Sequence, residues 1–410
     1  MTQDADIDAR TWDLTVVGAG ILGLACAREL SFRHPEWRIL VVDKEAAPGA
    51  HQTGHNSGVI HAGIYYPPGS LKAALCVRGS RLLYEFCAER SIPVRRSGKL
   101  IVAADASELP RLEDLHERGR RNGVPGLRRL GPEEVLEIEP HVAAVGGLHS
   151  PATGVVDFGA VAAELARELT ERGHRVSMGS EIRDVRPRGQ ELELTLAGGA
   201  VRTHFALFCA GAWADKLAER AGATSEPRIV PFRGAYLELH SEREHLVRGL
   251  IYPVPDPRLP FLGVHLTRHI DGTVSIGPTA LLAAARDAYR ATRVSPGDLA
   301  RTLSWPGTRR MAWRFRHAAA TELLHAANRR ALVRAAARFV PELRPRDVRP
   351  AGAGVRAQAV ARDGTLVDDF AFSHTHRAVH VRNAPSPAAT ASLAIAEHVA
   401  GVVDERRRES

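Results

Sequence analysis

The stretch Asp13-Leu-Thr-Val-Val17, Gly18-Ala-Gly20-Ile-Leu-Gly23, Leu24-Ala-Cys-Ala-Arg-Glu-Leu-Ser-Phe32 decides the fold. Its first five residues form a short apolar run with β-branched side chains and read as a buried strand. The glycines follow as a tight turn. Leu24, Ala27 and Leu30 then fall on one helical face. A second apolar run, Arg38–Asp43, reads as another strand and ends on a carboxylate twenty residues after Gly23. Strand, glycine turn, helix and strand make a βαβ unit. Gly18 permits the turn, Gly20 lets backbone N–H groups approach a pyrophosphate, and Gly23 lets helix pack closely on strand. The anion then sits at a helix N-terminus, where free N–H groups and the helix dipole favour it, with Ile21 of the turn beside it. Asp43, followed by Lys44, is placed to accept hydrogen bonds from ribose hydroxyls.

Outward from this unit, Ala50–Ser70 is rich in Gly, His, Asn and Ser. A polar connection of that length in a compact domain is usually functional. Phe158–Arg172 reads as a helix. Strands are expected at Arg175–Met178, Glu181–Arg186, Glu191–Leu196 and Val201–Cys209. Tyr236–Leu239, Leu250–Val254, Phe261–Leu266 and Val274–Ile276 read as a second, largely antiparallel sheet. Pro296–Phe339 is mostly helical with a break near Pro306. Val379–Asn383 is a strand that runs into Asn-Ala-Pro-Ser-Pro-Ala-Ala-Thr and a final helix, Ala388–Val402, with Ser386 as its N-cap. The expected class is α/β: a Rossmann-like nucleotide-binding domain with a second, α+β domain for substrate. The first takes residues 11–90, 150–225 and 345–405, and the second takes 91–149 and 226–344.

Composition sets the class. Apolar residues at 44% with 25% charged are ordinary for a globular chain. No apolar run is long enough to span a bilayer. The first residues, Met-Thr-Gln-Asp-Ala-Asp-Ile-Asp, lack the basic and apolar regions of a secretory signal. Cys26, Cys76, Cys87 and Cys209 form no Cys-x-x-Cys pair and no metal cluster, which suits reduced thiols in the cytoplasm. The net charge of +8 leaves anionic partners open: a small acid, a membrane surface or a nucleic acid. Twelve arginines and no lysine lie between Arg301 and Arg349, and a solvated face is the plain reading of them.

The glycine fingerprint does not separate FAD from NAD. Its place near the N-terminus, the Gly/Ser-rich loop directly after the second strand, and the lack of a comparable second fingerprint favour FAD. The segment His51-Gln-Thr-Gly-His-Asn-Ser-Gly-Val-Ile-His-Ala-Gly-Ile-Tyr-Tyr-Pro-Pro-Gly-Ser-Leu-Lys-Ala73 resembles the L-2-hydroxyglutarate oxidase/dehydrogenase family of the D-amino-acid-oxidase-like flavoproteins. Pro231–Leu239, Ile251–Thr267, Gly354–Val360, Leu366–Phe370 and Asn383–Thr390 resemble it as well, in the expected order over nearly the whole chain. Asp287-Ala288-Tyr289 and Arg382 depart from the pattern, which puts specificity most in question around Ala280–Arg301.

The resemblance implies oxidation of L-2-hydroxyglutarate, or a close L-2-hydroxy acid, to the 2-oxo acid, with electrons passing to oxygen or a membrane quinone. That chemistry needs a carboxylate clamp, a proton acceptor and a hydride held at the flavin. Arg356, in Gly-Val-Arg, resembles the superfamily's carboxylate clamp. His61 and His265 stand in apolar, family-like segments and suit the base, because imidazole titrates near neutrality. A second carboxylate on the substrate calls for a second cation. Lys72 and Arg233 are candidates, with Tyr65, Tyr66 and Tyr236 as neutral donors. Thr53, Gly54, His55, Asn56, Ser57, Gly58 and Gly354 are expected around the flavin. Pro385, Ser386, Pro387 and Ala388 are expected at its N1/C2=O edge, Ala210 and Gly211 at a second nucleotide contact, and Val185 along the adenine. The alternative is an amino-acid or secondary-amine oxidase of the same fold; a basic flavoprotein binding RNA or a membrane surface is more remote. Peripheral contact with the inner face of the cell membrane accompanies the quinone reading, and no nucleic acid is expected.

Overall fold

The computed structural model describes residues 11–257 and 262–409. The parallel sheet runs Arg175–Ser177, Ile39–Val42, Leu14–Val17, Ala206–Phe208 and Ala378–Asn383, with Ala371–Thr375 antiparallel at its edge. Successive side chains of a strand point to opposite faces, so a sheet covered on both sides reads as a continuous apolar run. Leu14, Val16, Ile39 and Val41 pack under the helices Ile21–Arg33, Phe158–Glu171 and Ser392–Glu409. Val17, Leu40 and Val42 face the other way, onto Leu192, Leu194 and Val201 of a small sheet. That sheet is ordered Thr11–Trp12, Ala200–Thr203, Glu191–Leu196, Ile182–Arg188.

The expected strand Val201–Cys209 is two strands. Ala200–Thr203 belongs to the small sheet and Ala206–Phe208 to the parallel one. The break at His204-Phe205 hands the chain from one layer to the next, a change that local periodicity does not register.

The second large sheet has nine strands among the described residues, antiparallel except where Leu250–Pro253 runs parallel to Lys99–Ala103. Its spine is Arg228–Leu239, paired along its length with Val348–Val360. The sequence reading assigned residues 345–405 to the nucleotide-binding portion. The strand Val348–Val360 instead lies in this sheet, because its partner is more than a hundred residues away and local pattern carries no trace of it. His265–Arg268 replaces the expected strand Phe261–Leu266, and 258–261 lie outside the described residues. The Arg-rich segment forms four helices: Pro296–Ser304, Pro306–Arg314, Arg316–Ala327 and Arg329–Ala336. The last helix begins at Ser392, later than Ala388, after a single turn closed by Ala391 N–H to Pro387 O at 2.9 Å. Ser386 is therefore not its N-cap.

Candidate active site

A cavity of about 1190 Å³ runs from the glycine turn to the face of the nine-stranded sheet. Ordinary small-molecule sites hold roughly 300–1,000 Å³, so this one has room for a large cofactor and a substrate together.

Gly18, Gly20 and Ile21 line one end. Gly18 has φ +115°, and a Cβ there would stand 2.4 Å from the Cys209 carbonyl oxygen. Gly23 does not line the cavity; a Cβ on it would lie 1.9 Å from the Gly18 oxygen, so it serves the close packing of turn on helix. Gly20 caps the 13-residue helix Ile21–Arg33, which has no acidic residue in its first turn to compete for an anion. Asp43 Oδ2 accepts the Ala19 N–H at 2.7 Å, which ties the second strand to the turn while Asp43 also lines the cavity. Thr53 Oγ1 accepts the Ile21 N–H at 3.0 Å.

The loop after Asp43 closes over this end. Lys44, Thr53, His55, Asn56 and Ser57 line the cavity. Lys44 Nζ lies 4.2 Å from the Trp213 ring centroid and 2.9 Å from His51 Nε2. Asn56 bonds the Gln52 and Thr53 carbonyls and accepts the Gly58 N–H at 2.8 Å, which fixes the loop. Gly54 and Gly58 shape the loop without lining the cavity: a Cβ would strike the Gly49 oxygen at 2.9 Å or the Val156 oxygen at 2.8 Å. Gly354 lines it and lets the loop pack close, since a Cβ there would stand 2.7 Å from His55 O. Ala210, Gly211, Pro385, Ser386, Pro387 and Ala388 lie on the wall. Val185 does not. It packs among Val17, Leu194 and Phe208, while Glu181 and Ile182 line the cavity near it.

At the other end, Phe232, Gly234 and Tyr236 line the cavity from alternate positions of the spine strand. Arg233, between them, does not line the cavity and reaches the Tyr289 carbonyl at 3.5 Å, which takes it from the substrate candidates. Arg356 pairs across the strands with Phe232. Its guanidinium is accessible through the cavity but set deep in protein; burial lowers its pKa, against the influence of Tyr66, Asp368 and Tyr236. Burial pushes Tyr236 up to about 12 and Tyr66 well above its usual range, so both phenols stay neutral donors. Lys72 lines the cavity but is engaged: its Nζ bonds Asp368 O at 2.8 Å and Oδ1 at 2.9 Å.

His61 donates its backbone N–H to Thr390 Oγ1 at 3.1 Å, and its Nδ1 is buried with no partner among the described residues. Burial, then the charge of Lys99, depresses its imidazole well below the usual range. His265 stacks on Tyr252 with centroids 4.0 Å apart, and burial lowers its pKa to about 4. Its Nδ1 lies 2.9 Å from Gly263 O. A neutral imidazole that donates from Nδ1 to a carbonyl keeps its Nε2 lone pair free to accept a proton. The Tyr65 hydroxyl is also buried without a partner among the described residues. His265, Lys72 and Arg356 all fall within electrostatic reach of His61.

Several wall residues escaped the sequence reading. Tyr252 is 1% exposed and lines the cavity. Gln52 Oε1 accepts the Ala357 N–H at 3.0 Å and so joins the cofactor loop to the Arg356 strand. Tyr289 stacks on His55 at 4.0 Å, which brings the divergent 280–301 segment onto that loop. None of these pairings is visible locally; the signals were Tyr252 and Gln52 inside family-like segments and Tyr289 in the stretch that departs from the pattern.

The residues fit an FAD. There is no room for side chains at Gly18 of the turn or at Gly354 of the facing strand, a helix N-terminus with no acidic residue in its first turn faces the cavity, and neutral donors line its far end. The family model for FAD dependent oxidoreductases matches residues 13–402. The chain belongs to that family and is an FAD-dependent oxidoreductase. Within it, the chain falls among the L-2-hydroxyglutarate dehydrogenases. The mitochondrial enzyme of that name from Nematostella vectensis is 44% identical over 96% of this chain and 91% of its own. That of Homo sapiens is 43% identical over 97% and 89%, and that of the bacterium Indibacter alkaliphilus 41% over 94% and 96%. Among solved structures, FAD-bound L-α-glycerophosphate oxidase from Mycoplasma pneumoniae matches with TM-score 0.79 at 23% identity, covering 96% of this chain and 95% of its own. Glycine oxidase from Geobacillus kaustophilus matches with TM-score 0.72 at 21% identity, covering 97% and 96%. These two likenesses carry the fold.

Proposed function

We propose that this enzyme oxidises L-2-hydroxyglutarate, or a close L-2-hydroxy acid, to the 2-oxo acid. One observation carries the reading: a guanidinium deep in the cavity, two neutral imidazoles and two neutral phenols converge on the end of the cavity away from the glycine turn. FAD, held by Gly18, Gly20, Asp43 and the 44–57 loop, supplies the hydride acceptor. Arg356 meets the 1-carboxylate with its planar fork, and Tyr66 and Tyr236 donate to the same group. This fixes the carbon that bears the hydroxyl. His265 Nε2 or His61 takes the hydroxyl proton, and burial keeps both imidazoles neutral in readiness.

The two large sheets serve as a nucleotide-binding unit and a substrate-binding unit, with the cavity between them. Oxygen or a membrane quinone accepts the electrons, and the enzyme resides in the cytoplasm in peripheral contact with the membrane. The unpaired state of all four cysteines supports the compartment. No helix among the described residues is long and apolar enough to cross a bilayer. Exposed Trp313, Leu323 and Leu324 beside arginines support surface contact.

The test is anaerobic. Purified enzyme is mixed with L-2-hydroxyglutarate, its D-enantiomer, L-lactate or amino acids, and flavin absorbance is followed. Bleaching by L-2-hydroxyglutarate alone is expected. Bleaching by an amino acid or amine instead overturns the reading in favour of an amine-oxidising relative.

A further inference from the structure

Lys99 opens the strand Lys99–Ala103, paired with Ser150, and is 1% exposed. A buried ammonium ordinarily has a carboxylate beside it, because an isolated charge in low dielectric is costly. Lys99 has none among the described residues. Its Nζ lies 4.1 Å from the Tyr252 ring centroid and 5.2 Å from that of Tyr65, both cavity residues. Cation–π contact of this kind holds an ammonium without neutralising it.

The ionisable groups around it come from every neighbouring element. They are Tyr65 and His61 after the strand Val59–Ile60, Cys76 on the helix Leu71–Glu89, Tyr252 on Leu250–Pro253 and His265 on His265–Arg268. None is an anion at neutral pH: burial raises the two tyrosines, pushes Cys76 up to about 12 and keeps the histidines uncharged. The nearby cations that line the cavity are engaged or committed, Lys72 by Asp368, Arg118 by the Tyr65 carbonyl at 2.9 Å and Arg356 by the clamp position.

We propose that Lys99 is a positioning residue that acts as the buried counter-cation of the substrate site: its ammonium adds to burial in holding His61 and His265 uncharged and strengthens the hold on an anionic substrate. The inference rests on the hydroxy-acid reading above. Like charge disfavours like, so the ammonium opposes protonation of both imidazoles. An arriving carboxylate finds positive potential that water does not screen. Burial lowers Lys99 to about 7, so the free enzyme loses this charge as pH rises through neutrality. The substrate binds the protonated form better and therefore holds the proton on, by linkage.

Two measurements on the holoenzyme test this. The first is the substrate concentration for half-maximal flavin reduction by L-2-hydroxyglutarate. In the wild type it rises about tenfold between about pH 6 and about pH 8, as expected for loss of one required proton near 7. K99M is already raised about tenfold at the lower pH and is flat, and K99R stays low and flat, since arginine does not titrate there. In K99M the acid limb of the reduction rate also moves to higher pH, because the histidines regain basicity.

The second measurement needs no substrate and no K99M. The chain has four lysines, Lys44, Lys72, Lys99 and Lys216. Labelling at Cε with ¹³C gives four signals, and K99R identifies the Lys99 signal by its loss. That signal is expected to titrate near neutrality. Titration near the ordinary lysine value of about 10.4 overturns the inference. So does a K99M enzyme that binds flavin and keeps the wild-type pH profile. A wild type that L-2-hydroxy acids do not reduce overturns the hydroxy-acid reading, and the inference with it. A reduced wild type with an unchanged K99M profile overturns the inference alone.

Discussion

Arg356 is the residue on which substrate choice turns. Replacing it with methionine keeps the bulk and removes the fork. A hydrogen-bonded charge contributes about 1.5–3 kcal/mol, so R356M is expected to lower kcat/KM for the hydroxy acid about 10- to 100-fold. Retained flavin absorbance would show that the fold is intact. For the base, H61Q and H265Q are measured singly by stopped-flow flavin reduction. Loss of a general base costs about 10²–10⁴ in rate, and if neither variant falls tenfold, neither histidine is the base. Sequence alone brought Arg356, His61 and His265 forward because each sits in a distinctive short motif. It did not bring forward Lys99, which precedes Leu-Ile-Val-Ala and reads as an ordinary polar strand end. All five positions of that strand are buried, a fact fixed by pairing with Gly146–Ser150 and Leu250–Pro253.

Among the elements, the strand Ala378–Asn383 links the core to pH. His380 on it is 1% exposed, stacks on Phe208 at 4.7 Å, and has Nε2 2.9 Å from Thr375 Oγ1. Burial, aided by Arg382, lowers its pKa to about 4. The unfolded chain, with histidine near 6.5, takes up the proton first. Stability is therefore full above about pH 6.5 and falls as pH drops towards 4, by about 3 kcal/mol in all from this group. H380Q is expected to flatten the dependence of Tm on pH across that window. The βαβ unit around Gly18 was legible because strand period, turn chemistry and helix face are local properties. The His204 break, the Val348–Val360 pairing and the late start of the last helix were not, because tertiary partners decide them.

In the whole molecule, one buried ion cluster joins the helix Ala214–Arg220 to the 280–301 segment. Arg286 and Asp215 are 1% and 0% exposed and bonded through both guanidinium nitrogens, with Asp298 and Arg301 beside them. Burial alone would raise the Asp215 carboxyl, but Arg286 and Arg301 overcome it and hold the carboxyl below the usual range. D215A takes from Arg286 the carboxylate that bonds two of its nitrogens and leaves it only that of Asp298 at 3.4 Å, at a cost of up to about 3–5 kcal/mol. Calorimetry is expected to show a lower Tm, with the 280–301 segment loosened from the cofactor loop. Sequence marked this segment as divergent, yet nothing local foretold that its arginines would be partnered inside the protein.

The two spine strands have one more consequence. Phe232, Gly234 and Tyr236 face the cavity, and Gly354 and Arg356 lie opposite Gly234 and Phe232. From Phe232 to Tyr236 the lining positions are even-numbered and Arg233, an odd one, is not among them, while on the partner strand Val355 and Ala357 line the cavity beside Gly354 and Arg356. Where the guanidinium faces is thus a matter of pairing parity. Deleting a single residue early in Val348–Val360 would exchange odd for even and turn the guanidinium to the other face. Adding two residues would restore the face but carry Arg356 roughly 7 Å along the strand, away from Phe232. Inheritance of this enzyme's chemistry therefore depends on the length of this strand as much as on the residues in it.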